Sequence, residues 1–505
     1  MTVINTNVSA MLAKQNMDKV QREMESSIAK LSSGQRINKA ADDAAGMAIA
    51  GRMESQIRGL TMAVRHAKDG QNMINTADSA ASELENALQR MRELAVQAAS
   101  DTLDTNNRLY LNAEATALKA EIDRISQQTS WNGMKLLDGS FGVQTAKTIH
   151  VGMDPRESIS VQIDELSAGN LGMYELQGEM SAMGDAAANL AASNSITAQT
   201  LSLTGYVGAA TVSVAVKTNA DAVSNLINQE SDKTGVTAYA VTKARLHTFG
   251  AGIGEVRFAL HSQDRDSTQS ASISAAITDT SDLTVLATAI NSHYSTTGIS
   301  AELAVNRTEL IMTHSSGATI ALDALSVKGG DTDSNLGFSM QAMDRFGNAD
   351  STITGTATST KMAASTASRS GVVVGQLVLE SINAFTVTGD DTTVSEGFFG
   401  TEHYSAEGSA AAGGTANLSN VATLTVATRT GANDAIKALD GAISKVNSIR
   451  ADLGAISNRL SSVVDNATSM VTNTEASRSH ILDTDFASET TKSVSYTHLT
   501  LPTTD

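Results

Sequence analysis

The sequence predicts an α+β protein in which long antiparallel coiled-coil helices from both chain ends form a stem and a β-rich α+β insert occupies the middle. Three observations carry this. Apolar residues step by threes and fours through roughly the first 140 positions and again beyond about 430. Between those regions alternation replaces the helical period, in a stretch rich in Thr, Ser, Ala and Gly. The 505 residues include two prolines, Pro155 and Pro502, so long helices meet few breakers.

The first helix carries Met17, Val20, Met24, Ile28 and Leu31 on one stripe, and Gly34 can take the left-handed conformation that ends helices. A loop then reaches Asp42 and Asp43, both suited to cap a new helix. That second helix has a seam of Leu60, Val64, Ala67, Gln71, Ile74, Ala77, Ala81, Leu84, Leu88, Met91, Ala95 and Ala98, a heptad rhythm. A third follows with Leu111, Ala115, Leu118, Ile122 and Ile125, closed by Gly133 and Gly139. Near the other end Ile436, Leu439, Ile443, Val446, Leu453, Ile456, Leu460, Val463, Ala467 and Met470 repeat the pattern. Each stripe needs a partner, so the terminal helices are expected side by side, with the chain leaving to form a middle domain and returning. Val3, Ile4, Val8 and Leu12 are too sparse to hold an isolated helix at the extreme N-terminus, which suits a segment that folds on assembly.

In the middle, TVSVAV at 211–216 and ISVQI at 159–163 are strand-like. An internal repeat is visible. Leu226-Ile-Asn228 with TGVTA at 234–238 returns as Ala289-Ile-Asn291 with TGISA at 297–301, offset by 63 residues throughout. Each copy reads as a short helix, a Gly turn and a strand. The Gly/Ser/Ala-rich residues 390–420 read as loop.

Composition narrows the function. Aromatics are 3%, so Ala, Leu, Ile, Val and Met must fill close helix contacts. A net charge of −18 disfavours nucleic acid and anionic membranes as partners. Without cysteine there are neither disulfides nor thiolate metal sites. No apolar run is long enough to span a membrane, and the N-terminus lacks the basic-then-apolar pattern of a secretory signal.

Catalytic and metal motifs fall short of the spacing their chemistry needs. The nine His include no pair four apart with an adjacent Glu, as a zinc protease needs. GAGIG at 250–254 lacks a phosphate loop's spacing and its following basic helix. DTDSN at 331–335 starts like a calcium loop, but Leu336 replaces the turn Gly and Ala342 the closing Glu. No enzyme, cofactor or metal is expected.

Several blocks resemble one family. LSSGQRINKAADDAAGMAI at 31–49 resembles the N-terminal signature of bacterial flagellins, and LQRMRELAVQ at 88–97 and WNGMKLLDG at 131–139 resemble two further blocks. Ala438-Leu-Asp440, Leu460 and ILDTDF at 481–486 resemble its C-terminal region. The likeness covers about 1–172 and 430–492, and the repeat resembles the insert modules of flagellins and hook-associated proteins. It implies a subunit exported through the flagellar secretion apparatus with its chaperone, polymerising with its own copies beneath a filament cap, and meeting hook-associated proteins in an extracellular flagellum. The implied organisation is 1–40 filament-core helix, 41–174 helical shell with a β-hairpin, 175–405 surface insert, 406–480 returning shell and 481–492 the start of the C-terminal core segment.

The resemblance also implies a face that both packs subunits and is read by the host innate immune receptor for flagellin: Gln89, Arg90, Leu94, Gln97, Leu111 and Glu114. Arg90 and Leu94, four apart, are expected on one helix face. The coiled-coil seam is expected at Leu60, Val64, Leu84, Leu88, Met91, Leu439, Ile443, Val446, Leu453 and Leu460. A hook–filament junction protein is the rival reading, and an adhesin role for the insert an additional one. Residues 493–505 depart from the family, which continues with an amphipathic helix. They lack heptads, and 494–504 resembles translated sequencing-adapter DNA, so they are read as a non-native tail. Residues 1–30 are then expected to lack their helical partner and to be floppy in the monomer.

Overall fold

A computed structural model describes the chain except residues 1–6, 143–145, 155, 179–180, 186–195, 197, 217, 251–252, 263–268, 305, 330–336, 348–358, 364–369, 390–397, 400–412 and 501–505. The N-terminal apolar pair Val3 and Ile4, the segment 331–335 and the last tail residues fall outside it. In chain order the helices are α1 (Val8–Ser33), α2 (Ala44–Ala99), α3 (Thr105–Gln128), α4 (Ala220–Gln229), α5 (Ser231–Thr234), α6 (Thr284–Asn291), α7 (Tyr294–Thr297), α8 (Arg429–Leu482) and α9 (Phe486–Thr500). The fold is α+β, with long helices from both chain ends and a β-rich middle of antiparallel sheets.

Short polar side chains start the long helices by accepting from otherwise unpaired backbone N–H groups. Asn7 Oδ1 accepts from Ala10 N at 3.1 Å, Asp43 Oδ1 from Gly46 N at 2.9 Å and Asp104 Oδ1 from Asn107 N at 2.7 Å. Thr428 Oγ1 accepts from Gly431 N at 3.1 Å, and Asp485 Oδ1 from Ala487 N at 3.0 Å. Among the described residues no helix is long and apolar enough to cross a membrane.

The chain divides into two compact units. The first comprises Met1–Leu84, Arg124–Leu166 and Asn447–Asp505. Here α2 and α8 run antiparallel: Asp78 pairs with Arg450 at 2.9 Å, while Glu54, earlier on α2, pairs with Arg478, later on α8. Between them Leu60, Ala67, Ile74, Ala77, Ala81, Leu84, Leu453, Leu460 and Ala467 are buried. Strands Lys147–His150 and Ser158–Val161 form one hairpin of this unit, and Ser130–Trp131 with Met134–Lys135 a second, shorter one. Gly70 on α2 makes room for the first, because a Cβ there would lie 2.5 Å from Ile149 Cδ1.

One expectation differs in this unit. The segment within 1–30 that is described is helical rather than floppy, and it packs on α9. Ser27 Oγ donates to Glu489 Oε1 at 2.8 Å in a buried contact. Residues 486–500 have no heptad, yet they form a helix. Asp485 caps it, and Thr490, Thr491 and Thr497 turn their hydroxyls back onto carbonyls one turn earlier, which satisfies polar groups without an apolar seam. On α1 the side chains of Val8, Met11, Leu12 and Met17 remain exposed.

The second unit comprises Glu85–Asp123 and Ser167–Val446. Its helical part combines the end of α2, most of α3 and the start of α8, with Leu88, Met91, Ala98, Ile122, Leu439 and Val446 buried. Gly441 lets α8 approach the strand Gly172–Gln177, since a Cβ would sit 2.8 Å from Gly172 O. Three antiparallel sheets follow. One passes through Ile299–Leu303, Leu310–His314, Thr237–His247, Gln376–Ser381, Gly172–Gln177 and Asn417–Asn420 in that order. The second passes through Ser270–Ala276, Ile253–Ser262, Ile320–Gly329, Ser370–Val374 and Ser181–Asp185. The third contains Gly413–Thr415, Thr386–Gly389, Gln199–Thr204 and Ala209–Val214. The loop reading of 390–420 is thus corrected at its C-terminal end. Weak local preference yields there to ladder partners, Thr415 facing Thr386 and Leu418 facing Tyr174.

The 63-residue repeat is structural. In the first copy, α4 and α5 lead through Gly235 (φ 72) into strand Thr237–His247; in the second, α6 and α7 lead through Gly298 (φ 67) into strand Ile299–Leu303. Asn228 locks the first turn, donating from Nδ2 to Ala238 O and accepting from Ala238 N, both at 2.8 Å. Asn291 does the same for Ala301, again at 2.8 Å twice. Each copy has its own core, one around Leu203, Val223, Ile227 and Leu377, the other around Leu260, Leu286, Ile290 and Phe338. Strand Thr237–His247 serves both: Ala238 and Ala240 belong to the first core, Ala244 and Leu246 to the second.

Candidate assembly and recognition surface

The helical face expected to carry contacts lies in the second unit. Two turns of α2 present Gln89, Arg90 and Gln97 outward while Leu88, Met91 and Ala95 seal the inner side. Arg90 reaches across to α3, where its Nε donates to Glu114 Oε1 at 2.9 Å, and its Nη1 donates to Glu93 Oε2 at 2.8 Å. Hydrogen bonds to Glu93 and then Glu114 hold the guanidinium pKa above its ordinary value. Gln89 Nε2 donates to Glu85 Oε1 at 3.0 Å, and Leu111 is half-buried. Leu94 differs from the expectation. It is 1% exposed, because three residues beyond Met91 and beside Ala95 it falls within the apolar stripe rather than on Arg90's outer face.

Of the seam residues, Leu60, Leu84, Leu88, Met91, Leu439, Val446, Leu453 and Leu460 are buried. Val64 and Ile443 are half-buried, and the preceding alanines, Ala63 and Ala442, turn inward instead. A helix of 3.6 residues per turn drifts against a 3.5-residue repeat, which rotates such positions toward the rim.

Sequence reading missed several participants. Arg92 bridges to Asp440 on α8 at 2.5 Å, and Arg108 closes the end of α2, donating to Ala98 O and Ser100 O at 2.8 Å each. Tyr110 on α3 is 75% exposed, an unusual position for so large a ring, with Leu109 and Val96 also exposed. The available signal was the run Leu109-Tyr110-Leu111, three large apolar residues in succession, of which a helix can turn only part inward. Deeper, Arg345 donates to Glu175 Oε2 at 2.7 Å and to Tyr239 Oη at 2.6 Å. Lys437 of α8 lies 3.3 Å from the Tyr239 ring centre and pairs with Glu380 at 3.2 Å. Burial pushes the Glu175 carboxyl up and the Lys437 ammonium down, so desolvation outweighs pairing at both. These partners lie far apart in sequence and carry no local motif.

Among the described residues no group of three or more His, Asp or Glu side chains is placed to hold a metal ion. What the helices offer is extended surface: sealed seams, ion pairs along their flanks and exposed apolar side chains on α1 and α3. That is the equipment of a structural, self-associating protein.

Comparison with known proteins gives the family. Residues 4–142 match the bacterial flagellin N-terminal helical region, 436–500 the bacterial flagellin C-terminal helical region, and 200–251 the flagellin hook IN motif. The chain is 32% identical over 488 residues to the B-type flagellin of Pseudomonas aeruginosa, covering 96% of this chain and 93% of that one. It is 32% identical over 517 residues to a flagellin of Salmonella choleraesuis, at the same coverages of 96% and 93%. Flagellin A of Vibrio anguillarum is 41% identical over 181 residues, 35% of this chain and 47% of that one. The chain belongs to the bacterial flagellins. It is a structural subunit that polymerises into the flagellar filament, which lies outside the cell; the family is structural rather than enzymatic.

Proposed function

We propose that the α2–α3 face around Arg90 both packs one subunit on the next and is read, on free monomers, by the host innate immune receptor for flagellin. The observation that carries this is the Arg90–Glu93–Glu114 cluster, roughly half exposed, on helices whose inner sides are sealed. An Arg held by two carboxylates presents a fixed planar surface beside Gln89 and Gln97. Leu94 supports that face from beneath. Export through the flagellar secretion apparatus with its chaperone, growth beneath a filament cap and attachment to hook-associated proteins complete the reading.

The test is Arg90→Ala, with filament yield measured by sedimentation and receptor activation by a reporter cell line. Loss of activation with weakened polymerisation supports a shared surface. Wild-type behaviour in both assays sinks it. The junction-protein alternative predicts a capped short assembly rather than long filaments. The adhesin alternative predicts surface binding by residues 175–405 that the filament helices do not need.

A further inference from the structure

We infer that strand Ala209–Val214, the open edge of the third sheet, pairs with the same strand of a second copy held in a neighbouring filament, so that the insert carries a self-complementary site for side-by-side filament contact. Among the described residues this strand has one ladder partner, Gln199–Thr204, and it ends its sheet. The hairpin between the two closes tightly, with Gly205 N donating to Gly208 O at 2.9 Å. Antiparallel ladders alternate bonded and non-bonded pairs. Counting from that turn, the backbones of Ala210, Val212 and Val214 bond to Leu203, Leu201 and Gln199. The N–H and C=O groups of Ala209, Thr211 and Ser213 therefore point away from the ladder, toward the open side. The side chains of these three are small and exposed, while Val212 and Val214 are buried in the core beneath.

Charge and spacing select a second copy as the occupant. The chain carries a net charge of −18, yet residues 199–216 contain no charged side chain, so like copies can meet there without the repulsion that holds their other surfaces apart. Other sheet-terminal strands are guarded by charge. Glu302 on Ile299–Leu303 pairs with Arg429 at 3.9 Å, and Glu255 accepts from Ser274 on Ser270–Ala276 at 3.0 Å. Strand Ala209–Val214 is flanked instead by exposed apolar residues: Tyr206 and Val207 in the turn before it, 54% exposed each, and Val216 after it, 59% exposed. An antiparallel pairing centred on Thr211 sets Thr211 opposite itself, Ala209 opposite Ser213 of the other copy, and Tyr206 opposite the other copy's Val216. The outward backbone groups are then all met, and the exposed apolar side chains cover one another at both ends. Such a pair has a twofold axis. Neighbours within one filament are related by a screw operation, which sets a patch against a different patch, so the second copy belongs to another filament. One short strand pair is weak, and repetition along two filaments multiplies it.

The experiment images filaments grown from the full chain in about 0.15 M salt, where exposed charges are screened beyond about 8 Å. Wild-type filaments should lie side by side in pairs and bundles. Thr211→Lys and Thr211→Glu each set like charges face to face at the twofold axis, and each should give filaments of wild-type length that stay single. Mixing the two finished preparations should restore bundling, because opposite charges now meet at that axis. The rescue also excludes misfolding as the cause, since two damaged inserts would not mend on mixing. Val216→Ser leaves the strand itself unchanged and should raise the filament concentration needed for bundling about tenfold. Wild-type filaments that stay single, bundling by either charged variant alone, or a mixture that stays single overturns the pairing. Filament length in the same images separates loss of this contact from loss of polymerisation.

Discussion

The two copies of the insert repeat share their turn and differ in their surroundings. Asn228 and Asn291 make the same pair of backbone hydrogen bonds, Thr234 and Thr297 each donate at 3.0 Å to a carbonyl four residues back, and Gly235 and Gly298 share a left-handed φ. What stands beyond the turn has drifted. Gly235 faces Tyr206 on the loop between two strands, while Gly298 faces the buried ring of His314. Tyr239 joins the Arg345–Glu175 network, whereas Glu302 at the matching position in the second copy is exposed. Backbone requirements admit few solutions, so they persist. Core volume can be filled in many ways, so it diverges.

Substitutions can break or sharpen this contrast, with native-state hydrogen exchange resolving each copy separately. The largest effect is expected at the network unique to the first copy. Arg345→Met leaves Glu175 buried and unpaired and should cost about 3–5 kcal/mol, whereas Arg345→Met with Glu175→Met should recover most of it. A double variant as unstable as the single one would show that the pair does more than compensate its own burial. Next come the matched core positions. Ile227→Ala and Ile290→Ala, both fully buried, should each cost about 2–5 kcal/mol and lower protection in their own copy more than in the other.

The shared turn should respond alike in both copies. Asn228→Ala and Asn291→Ala each leave a strand N–H and C=O without their partner and should cost about 1–3 kcal/mol, within error of one another. Clearly unequal losses would refute equivalence. The glycines should split the copies again. Ala at either position meets about 1–2 kcal/mol of left-handed strain, but Gly298→Ala should cost more, because His314 is enclosed while Tyr206 is exposed and can swing away.

The smallest effect is a pH slope in the second copy. Burial holds the His314 imidazole below its ordinary 6.5, and its ring nitrogens face Ser262 and Ser316 at 2.9 and 3.0 Å. A lowered folded pKa means that the folded state prefers the neutral ring. Its contribution is therefore complete above pH 6.5 and falls as pH drops below that value toward the folded pKa. Exchange protection of strands 299–303 and 310–314 should decline between pH 7 and pH 5, and His314→Gln should flatten the decline.

The helices were legible because heptads state their partner's position: Leu84, Leu88, Leu453 and Leu460 point where their spacing says. The repeat was legible because Asn and Gly recur at fixed offsets for a local reason. The pairing of strands was not, since alternation in Thr, Ser and Ala marks a strand without naming its neighbour. Leu94 shows how a helix-face argument slips, for four residues separate it from exposed Arg90 and three from buried Met91, and the wider apolar stripe prevailed. Ser27–Glu489, Arg345–Glu175 and Arg36 with the end of α8 lay beyond reach, because polar pairs so distant in sequence leave no periodic trace.

Strand Thr237–His247 has a consequence for how such an insert can lengthen. Because one uninterrupted strand lends its first half to one core and its second half to the next, the join between copies is a beam and not a tether. An ornament that grows by extending a beam gains mass without gaining a pivot. Under load the two halves must deflect together or break a ladder, so a strand added to either half stiffens the other as well.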